Sequence, residues 1–124
     1  MRHDHLLCDL WFDTDDLLKY VDPLRAILLE AAEAGKATVY HTHFHQFSPW
    51  GVTGFLLLQE SHISFHTWVE ERYAALDIFP CGAMDSSAIV RYLVARLKPV
   101  RVNLLQAERG RSESRILTTD VRHP

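Results

Sequence analysis

The pattern of this 124-residue chain predicts an α+β fold: a two-layer sandwich with two helices on one face of a mainly antiparallel sheet. Three observations carry that prediction. The segments read in order as strand, helix, four strands, helix, strand, and a run of consecutive strands favours α+β over an alternating α/β architecture. The four central strand candidates follow one another in quick succession, as hairpin-connected strands do. Only two segments carry strong helical periodicity, and two helices cannot cover both faces of so broad a sheet. They would share one face and leave the other to solvent or to a partner. The strands are rich in apolar residues, so the expected partner is a second copy of the chain.

Taken in order, Leu6 to Phe12 (LLCDLWF) is the first strand candidate. Asp13-Thr14-Asp15-Asp16 is rich in helix-capping residues, and Leu17 to Tyr20 adds a short helical turn. Asp22-Pro23 predicts the start of the first main helix, a capping residue followed by proline at the first helical position. Leu24, Ile27, Leu28 and Ala31 then recur at helical spacing as candidate core, and Gly35 supplies the stop. Strand candidates follow at Ala37 to His45, Val52 to Glu60, Ile63 to Trp68 and Tyr73 to Phe79. Ser48-Pro49-Trp50-Gly51 is the turn between the first two. The second helix spans Ser86 to Leu97, with Ile89, Val90, Leu93, Val94 and Leu97 on one face. Pro99 breaks it, and Val100 to Gln106 reads as the last strand. From Arg109 to Pro124 the chain is polar and mixed, and it reads as a partly mobile tail. No repeat or linker divides the chain, so residues 1–124 are expected to form one domain.

Composition narrows the function classes. Apolar residues make up 48% and charged residues 23%, an ordinary globular balance, and the net charge of −3 leaves no basic footprint for nucleic acid. Cys8 and Cys81 make neither a disulfide framework nor a CxxC zinc pattern, which points to a reducing, cytoplasmic setting. The N-terminal MRHDHLLCDLWFD lacks the build of a signal peptide. No apolar run is long enough to span a membrane.

Three clusters could carry chemistry. Glu60-Ser61-His62-Ile63-Ser64-Phe65-His66-Thr67-Trp68-Val69-Glu70 follows the apolar run Phe55-Leu56-Leu57-Leu58. Polar side chains buried there cost free energy unless paired, so they mark either a site or a strand emerging into solvent. Cys81, in Phe79-Pro80-Cys81-Gly82, is either an accessible thiol at a strand end or a small buried hydrophobe. His41, His43 and His45 alternate along one strand and so share a face. Such a triplet can ligate a transition metal, but without a further ligand nearby it reads better as a half-exposed face.

The stretch Glu60-Ser61-His62-Ile63-Ser64-Phe65-His66-Thr67-Trp68 resembles the processing-site signature of prokaryotic S-adenosylmethionine decarboxylases. The likeness extends through Phe47-Ser48-Pro49-Trp50-Gly51-Val52-Thr53-Gly54 upstream. Downstream it takes in Glu70, Tyr73-Ala74-Ala75-Leu76-Asp77-Ile78-Phe79 and Cys81-Gly82, so it covers about Leu6 to Gly110. The resemblance implies self-cleavage between Glu60 and Ser61 into a β chain of residues 1–60 and an α chain of residues 61–124. Ser61 would become a covalent pyruvoyl group that forms a Schiff base with substrate, with neither pyridoxal phosphate nor metal. His66 matches the family's processing histidine. Thr53 stands where many members have a serine that assists the acyl shift, and it keeps the hydroxyl. Cys81 matches the general acid.

For the substrate, the resemblance implies that Phe47 stacks on adenine and Glu70 holds the ribose, with Trp68 beside them. The chain also departs from the family. Trp68-Val69-Glu70-Glu71-Arg72-Tyr73 differs from the usual Trp-Pro-Glu-Tyr-Gly-Tyr, and Pro80 replaces a threonine before the cysteine. Some relatives of the family decarboxylate arginine or ornithine, and Glu71 adds a carboxylate that could meet a cationic side chain. Two alternatives therefore stand beside the expected activity: an arginine or ornithine decarboxylase, and a non-catalytic regulatory paralogue. Intact Ser61, His66 and Cys81 speak against the second. The expected assembly is a homodimer of processed αβ units.

Overall fold

A computed structural model describes residues 3–59, 61–80, 82–110, 113 and 115–122. Glu60 and Cys81 lie outside the described residues. In chain order the elements are β1 (His3–Trp11), α1 (Val21–Ala34), β2 (Val39–Gln46), β3 (Val52–Leu58), β4 (His62–Trp68), a 3-10 turn (Val69–Glu71), β5 (Tyr73–Phe79), α2 (Ser86–Leu97), β6 (Arg101–Arg109) and β7 (Arg115–Arg122). The strands form one seven-stranded sheet in the order β2-β3-β4-β5-β1-β6-β7. Every pairing is antiparallel. The α+β sandwich expected from the sequence is therefore present.

Strand alternation divides the sheet into two chemically different faces. Leu6, Cys8 and Leu10 of β1, Val52, Leu56 and Leu58 of β3, Ile63 and Phe65 of β4, and Ala74, Leu76 and Ile78 of β5 point inward. There they join Leu24, Ile27, Leu28 and Ala31 of α1 and Ile89, Val90, Leu93 and Leu97 of α2 in one core. Fully burying one such Leu, Ile or Phe contributes about 1.5–3 kcal/mol. Gly54 sits on this face because the Phe44 ring lies across it. A Cβ at Gly54 would come within 2.3 Å of that ring. On the opposite face no helix packs, and Phe55, Leu57 and Trp68 stand at least two-fifths exposed.

Four sequence expectations are corrected. First, the segment from Arg109, read as a partly mobile tail, contains a strand. Its residues Arg115–Arg122 form β7 and pair with β6 from Val102 to Glu108. Its sequence hid it, because Arg115-Ile116-Leu117-Thr118-Thr119-Asp120 does not alternate apolar and polar residues as a half-buried strand does. Second, α1 starts at Val21, so Asp22 lies in the first turn and does not cap. The Val21 N–H donates instead to Oε1 of Gln46 at 2.9 Å. Pro23 is tolerated one turn in, since the first N–H groups of a helix have no intrahelical partner. Third, the short turn expected at Leu17 to Tyr20 falls earlier, at 16–18, with the Leu18 N–H donating to the Asp15 carbonyl at 2.9 Å. Fourth, the second and third strands are Val39–Gln46 and Val52–Leu58, so β3 ends before Glu60. The second helix falls where its periodicity placed it, and its cap is Asp85, whose carboxylate accepts from the Ala88 N–H at 3.1 Å. Among the described residues, no helix is long and apolar enough to cross a membrane.

Candidate active site

The turn between β2 and β3 is pinned from several sides. The Phe47 N–H donates to the Gly51 carbonyl at 2.8 Å, and the Gly51 N–H donates to the Lys19 carbonyl at 2.9 Å. Gly51 has φ of 115°, a conformation that glycine adopts without a Cβ penalty. One side-chain amide, Nε2 of Gln46, donates to the carbonyls of Lys19, Phe47 and Gly51 at 2.8–3.1 Å. Thr67 fixes the adjoining strands, accepting from the Val52 N–H and donating to the Leu18 carbonyl, both at 2.9 Å. The result is a rigid turn that holds Phe47 and Trp50 outward, both more than a third exposed.

These two aromatics wall a cavity of about 260 Å³ that also takes in Thr53, His66, Trp68 and Glu70. Five of the eight sequence-predicted site residues thus meet in one place: Phe47, Thr53, His66, Trp68 and Glu70. Thr53 and His66 are register partners on β3 and β4. Their Oγ1 and Nδ1 atoms lie 3.1 Å apart. The His66 and Trp68 rings lie 6.1 Å apart, centre to centre. Phe47 packs edge-on against His45 at 4.5 Å. Glu70 rises from the 3-10 turn, and its Oε1 accepts from the Trp50 indole N–H at 2.8 Å. That bond, with help from the Glu70 backbone N–H, holds its carboxyl below the ordinary glutamate value.

Ser61 is not in this cavity. It lies in the turn before β4, where its carbonyl accepts from the Leu58 N–H at 2.8 Å. Because Ser61 precedes the strand, strand alternation does not govern it. The chain bends at Ser61, and the pairings of β4 with β3 and β5 run without a register shift. From His62 to His66 the strand advances about 13 Å, so Ser61 and His66 sit at opposite ends of β4. The Ser61 Oγ is buried and has no hydrogen-bond partner among the described residues. Beside this turn lies a second cavity, of about 340 Å³, lined by Lys36, Thr38, Leu58, Gln59, Gly82 and Met84. Glu60 and Cys81, outside the described residues, flank the same stretches in sequence.

Between the two ends runs the helix-free face of the sheet. Strand register places His5, His41, His43, His45, His62 and His66 on it. His62 stacks on Phe55 with ring centres 5.5 Å apart. Ser64 donates to Asp77 at 3.2 Å, and His5 Nε2 lies 3.8 Å from the same carboxylate. Burial pushes the His5 pKa below 6.5, against the pull of Asp77. Tyr73 donates to Asp9, and burial with that contact drives its phenol well above the usual range. The three alternating histidines do share one face, as their spacing predicts. Among the described residues, no three His, Cys, Asp or Glu side chains converge as a metal site.

Sequence reasoning missed Gln46, Trp50 and Thr67. Trp50 had a signal, an aromatic residue inside a proline-glycine turn. Gln46 and Thr67 had none, because each reaches a partner far away in sequence, Lys19 and Val21 for Gln46 and Leu18 for Thr67.

The chain matches the family model described as S-adenosylmethionine decarboxylase over residues 4–110. It is 40% identical over 107 residues to the S-adenosylmethionine decarboxylase proenzyme of Sulfurihydrogenibium sp. (strain YO3AOP1), with 86% of this chain and 80% of the relative covered. The proenzyme of the same name from Persephonella marina is 41% identical with the same coverage. Among solved structures, the adenosylmethionine decarboxylase of Aquifex aeolicus superposes with a TM-score of 0.78 at 36% identity, covering 90% of this chain and 92% of that one.

Proposed function

The chain belongs to the S-adenosylmethionine decarboxylase family, and on that premise we propose that it is a self-cleaving, pyruvoyl-dependent carboxy-lyase. Its substrate would be S-adenosylmethionine, and its product the decarboxylated aminopropyl donor used in polyamine synthesis. One observation carries the reading for this chain: the Ser61 Oγ is buried in a tight turn without a hydrogen-bond partner among the described residues. An unpartnered buried hydroxyl costs about 1–3 kcal/mol, a cost that fits a nucleophile placed for reaction.

In this reading the single domain of residues 1–124 is a zymogen. The Ser61 hydroxyl attacks the Glu60 carbonyl, the amide becomes an ester, and β-elimination leaves residues 1–60 ending in a carboxylate. Water then displaces ammonia from the new end of residues 61–124, which becomes the pyruvoyl group. That group supplies the electron sink for decarboxylation that pyridoxal phosphate supplies in other enzymes. Thr53 and His66 form a hydroxyl–imidazole pair suited to moving the proton in the acyl shift. Phe47 and Trp68 offer apolar walls for the adenine, Glu70 an ionised acceptor for the ribose hydroxyls, and Cys81 the proton for the α-carbon. No step requires a metal or pyridoxal phosphate.

The separation of Ser61 from His66 along β4 supports a site completed by a second copy. Two chains packed through their helix-free faces about a two-fold axis would bring Ser61 of one against the partner's Thr53 and His66. The same contact would cover Phe55 and Leu57. We infer a homodimer of processed αβ units, and the cytoplasmic setting rests on the cysteine usage alone. The family match favours S-adenosylmethionine over arginine or ornithine as the substrate.

The test is release of labelled carbon dioxide from the three compounds, with a denaturing gel alongside. The expected result is two fragments and release from S-adenosylmethionine alone. Release only from arginine or ornithine would overturn the substrate, and one uncut, inactive chain would favour the non-catalytic paralogue.

A further inference from the structure

We propose that Trp50 is a positioning residue that sets specificity at the sugar end of the substrate, by locking Glu70 into the orientation that receives two adjacent hydroxyls. The proposal rests on the reading that Glu70 meets the ribose. Trp50 itself has no role in that reading; the geometry supplies one.

Glu70 stands on a short 3-10 turn at the cavity mouth. A glutamate there would otherwise sample several rotamers and lose that freedom on binding. Trp50 prevents this by donating its indole N–H to Oε1 at 2.8 Å. A carboxylate has about four lone-pair sites, so the Trp50 bond leaves Oε2 and the second lone pair of Oε1 for two donors on neighbouring carbons. Trp50 is held in turn. The Gln46 amide and the Gly51 backbone fix its turn, and Lys19 Nζ lies 4.7 Å from the centre of its ring. Lys19 is itself 3.6 Å from Asp15. Glu70 therefore meets the ligand preorganised and ionised, and preorganisation of this kind improves binding without new contacts. A site built to bond a hydroxyl rejects the analogue lacking it, because its own polar group is then left unpaired.

The experiment compares S-adenosylmethionine with its 2′-deoxy analogue as substrates, using processed enzyme whose two fragments have been seen on a gel. Trp50→Phe keeps the ring and deletes the donor. It should raise KM for S-adenosylmethionine about tenfold, the effect of losing one hydrogen bond to a charged group, while leaving kcat nearly unchanged. It should also shrink the preference over the deoxy analogue. The acid limb of kcat/KM should move to higher pH, because the bond that holds the Glu70 carboxyl down is gone. Trp50→His restores a ring N–H and should recover part of the preference. It also keeps the test open should Trp50→Phe fail to fold. Unchanged KM and discrimination in the variant without the donor would overturn the proposal. Glu70→Gln separates the two ideas. If it abolishes discrimination while Trp50→Phe does not, only the Trp50 proposal fails. If it leaves discrimination intact, the Glu70 reading fails first.

Discussion

Thr53 Oγ1 and His66 Nδ1 face each other across β3 and β4 at 3.1 Å, on the sheet face that carries no helix. A hydroxyl and an imidazole at that distance can pass a proton between them, and neither spends itself on packing the core. Removing either partner should slow self-cleavage. Proton-transfer catalysis is typically worth about 10²- to 10⁴-fold, so His66→Ala and Thr53→Val should each retard processing within that range. Thr53→Ser should process normally. A gel time course after synthesis measures it, and wild-type kinetics for His66→Ala would remove His66 from the mechanism.

If that pair serves the partner's Ser61, two defective chains should rescue each other. Co-expressed Ser61→Ala and His66→Ala chains form mixed dimers in which one of the two sites has both residues. One fragment pair should appear, derived from the His66→Ala chain alone. No cleavage in a verified mixed dimer would mean that the site is built within one chain.

Cys81→Ala should still process but turn over about 10²- to 10⁴-fold more slowly, since protonation of the α-carbon comes after cleavage. Phe47→Ala should lower kcat/KM by roughly 5- to 150-fold, taking about 1–3 kcal/mol for a base stacked on an aromatic ring. Steady-state assays on processed protein check both. Full activity in Cys81→Ala would require another acid, and an unchanged Phe47→Ala would take the adenine away from that wall.

Much of this site was legible because one contiguous motif carries it. Phe47 and Thr53 flank one hairpin turn, His66 and Trp68 follow on the next strand, and Glu70 stands on the 3-10 turn just after it, so antiparallel pairing and one short turn bring them together. Ser61 was harder. Strand alternation says nothing of its direction, because β4 begins one residue later, at His62. The helices were found from periodicity, and β7 was lost because its sequence does not alternate apolar and polar residues. The start of α1 was displaced because its first N–H is satisfied by Gln46, a residue 25 positions away.

His5 gives a pH dependence of stability with a definite sign. Burial lowers its pKa in the folded chain, while the unfolded chain keeps the ordinary value of 6.5. As pH falls through 6.5 the unfolded state takes up the proton first, so this position favours unfolding increasingly until the lowered folded value is reached. Between pH 7 and 5.5, Tm should therefore fall more steeply in wild type than in His5→Phe. The substitution keeps a ring against Phe79, 5.3 Å from the native imidazole. Parallel slopes would show that His5 is not the group responsible.

The central claim is that Ser61 becomes a pyruvoyl group, and intact mass spectrometry of the purified protein tests it most directly. The account predicts two species corresponding to residues 1–60 and 61–124, the second lighter by one ammonia than a chain beginning with serine and resistant to Edman degradation. A single uncut chain, or a second fragment whose mass and sequence show a free N-terminal serine, would contradict it.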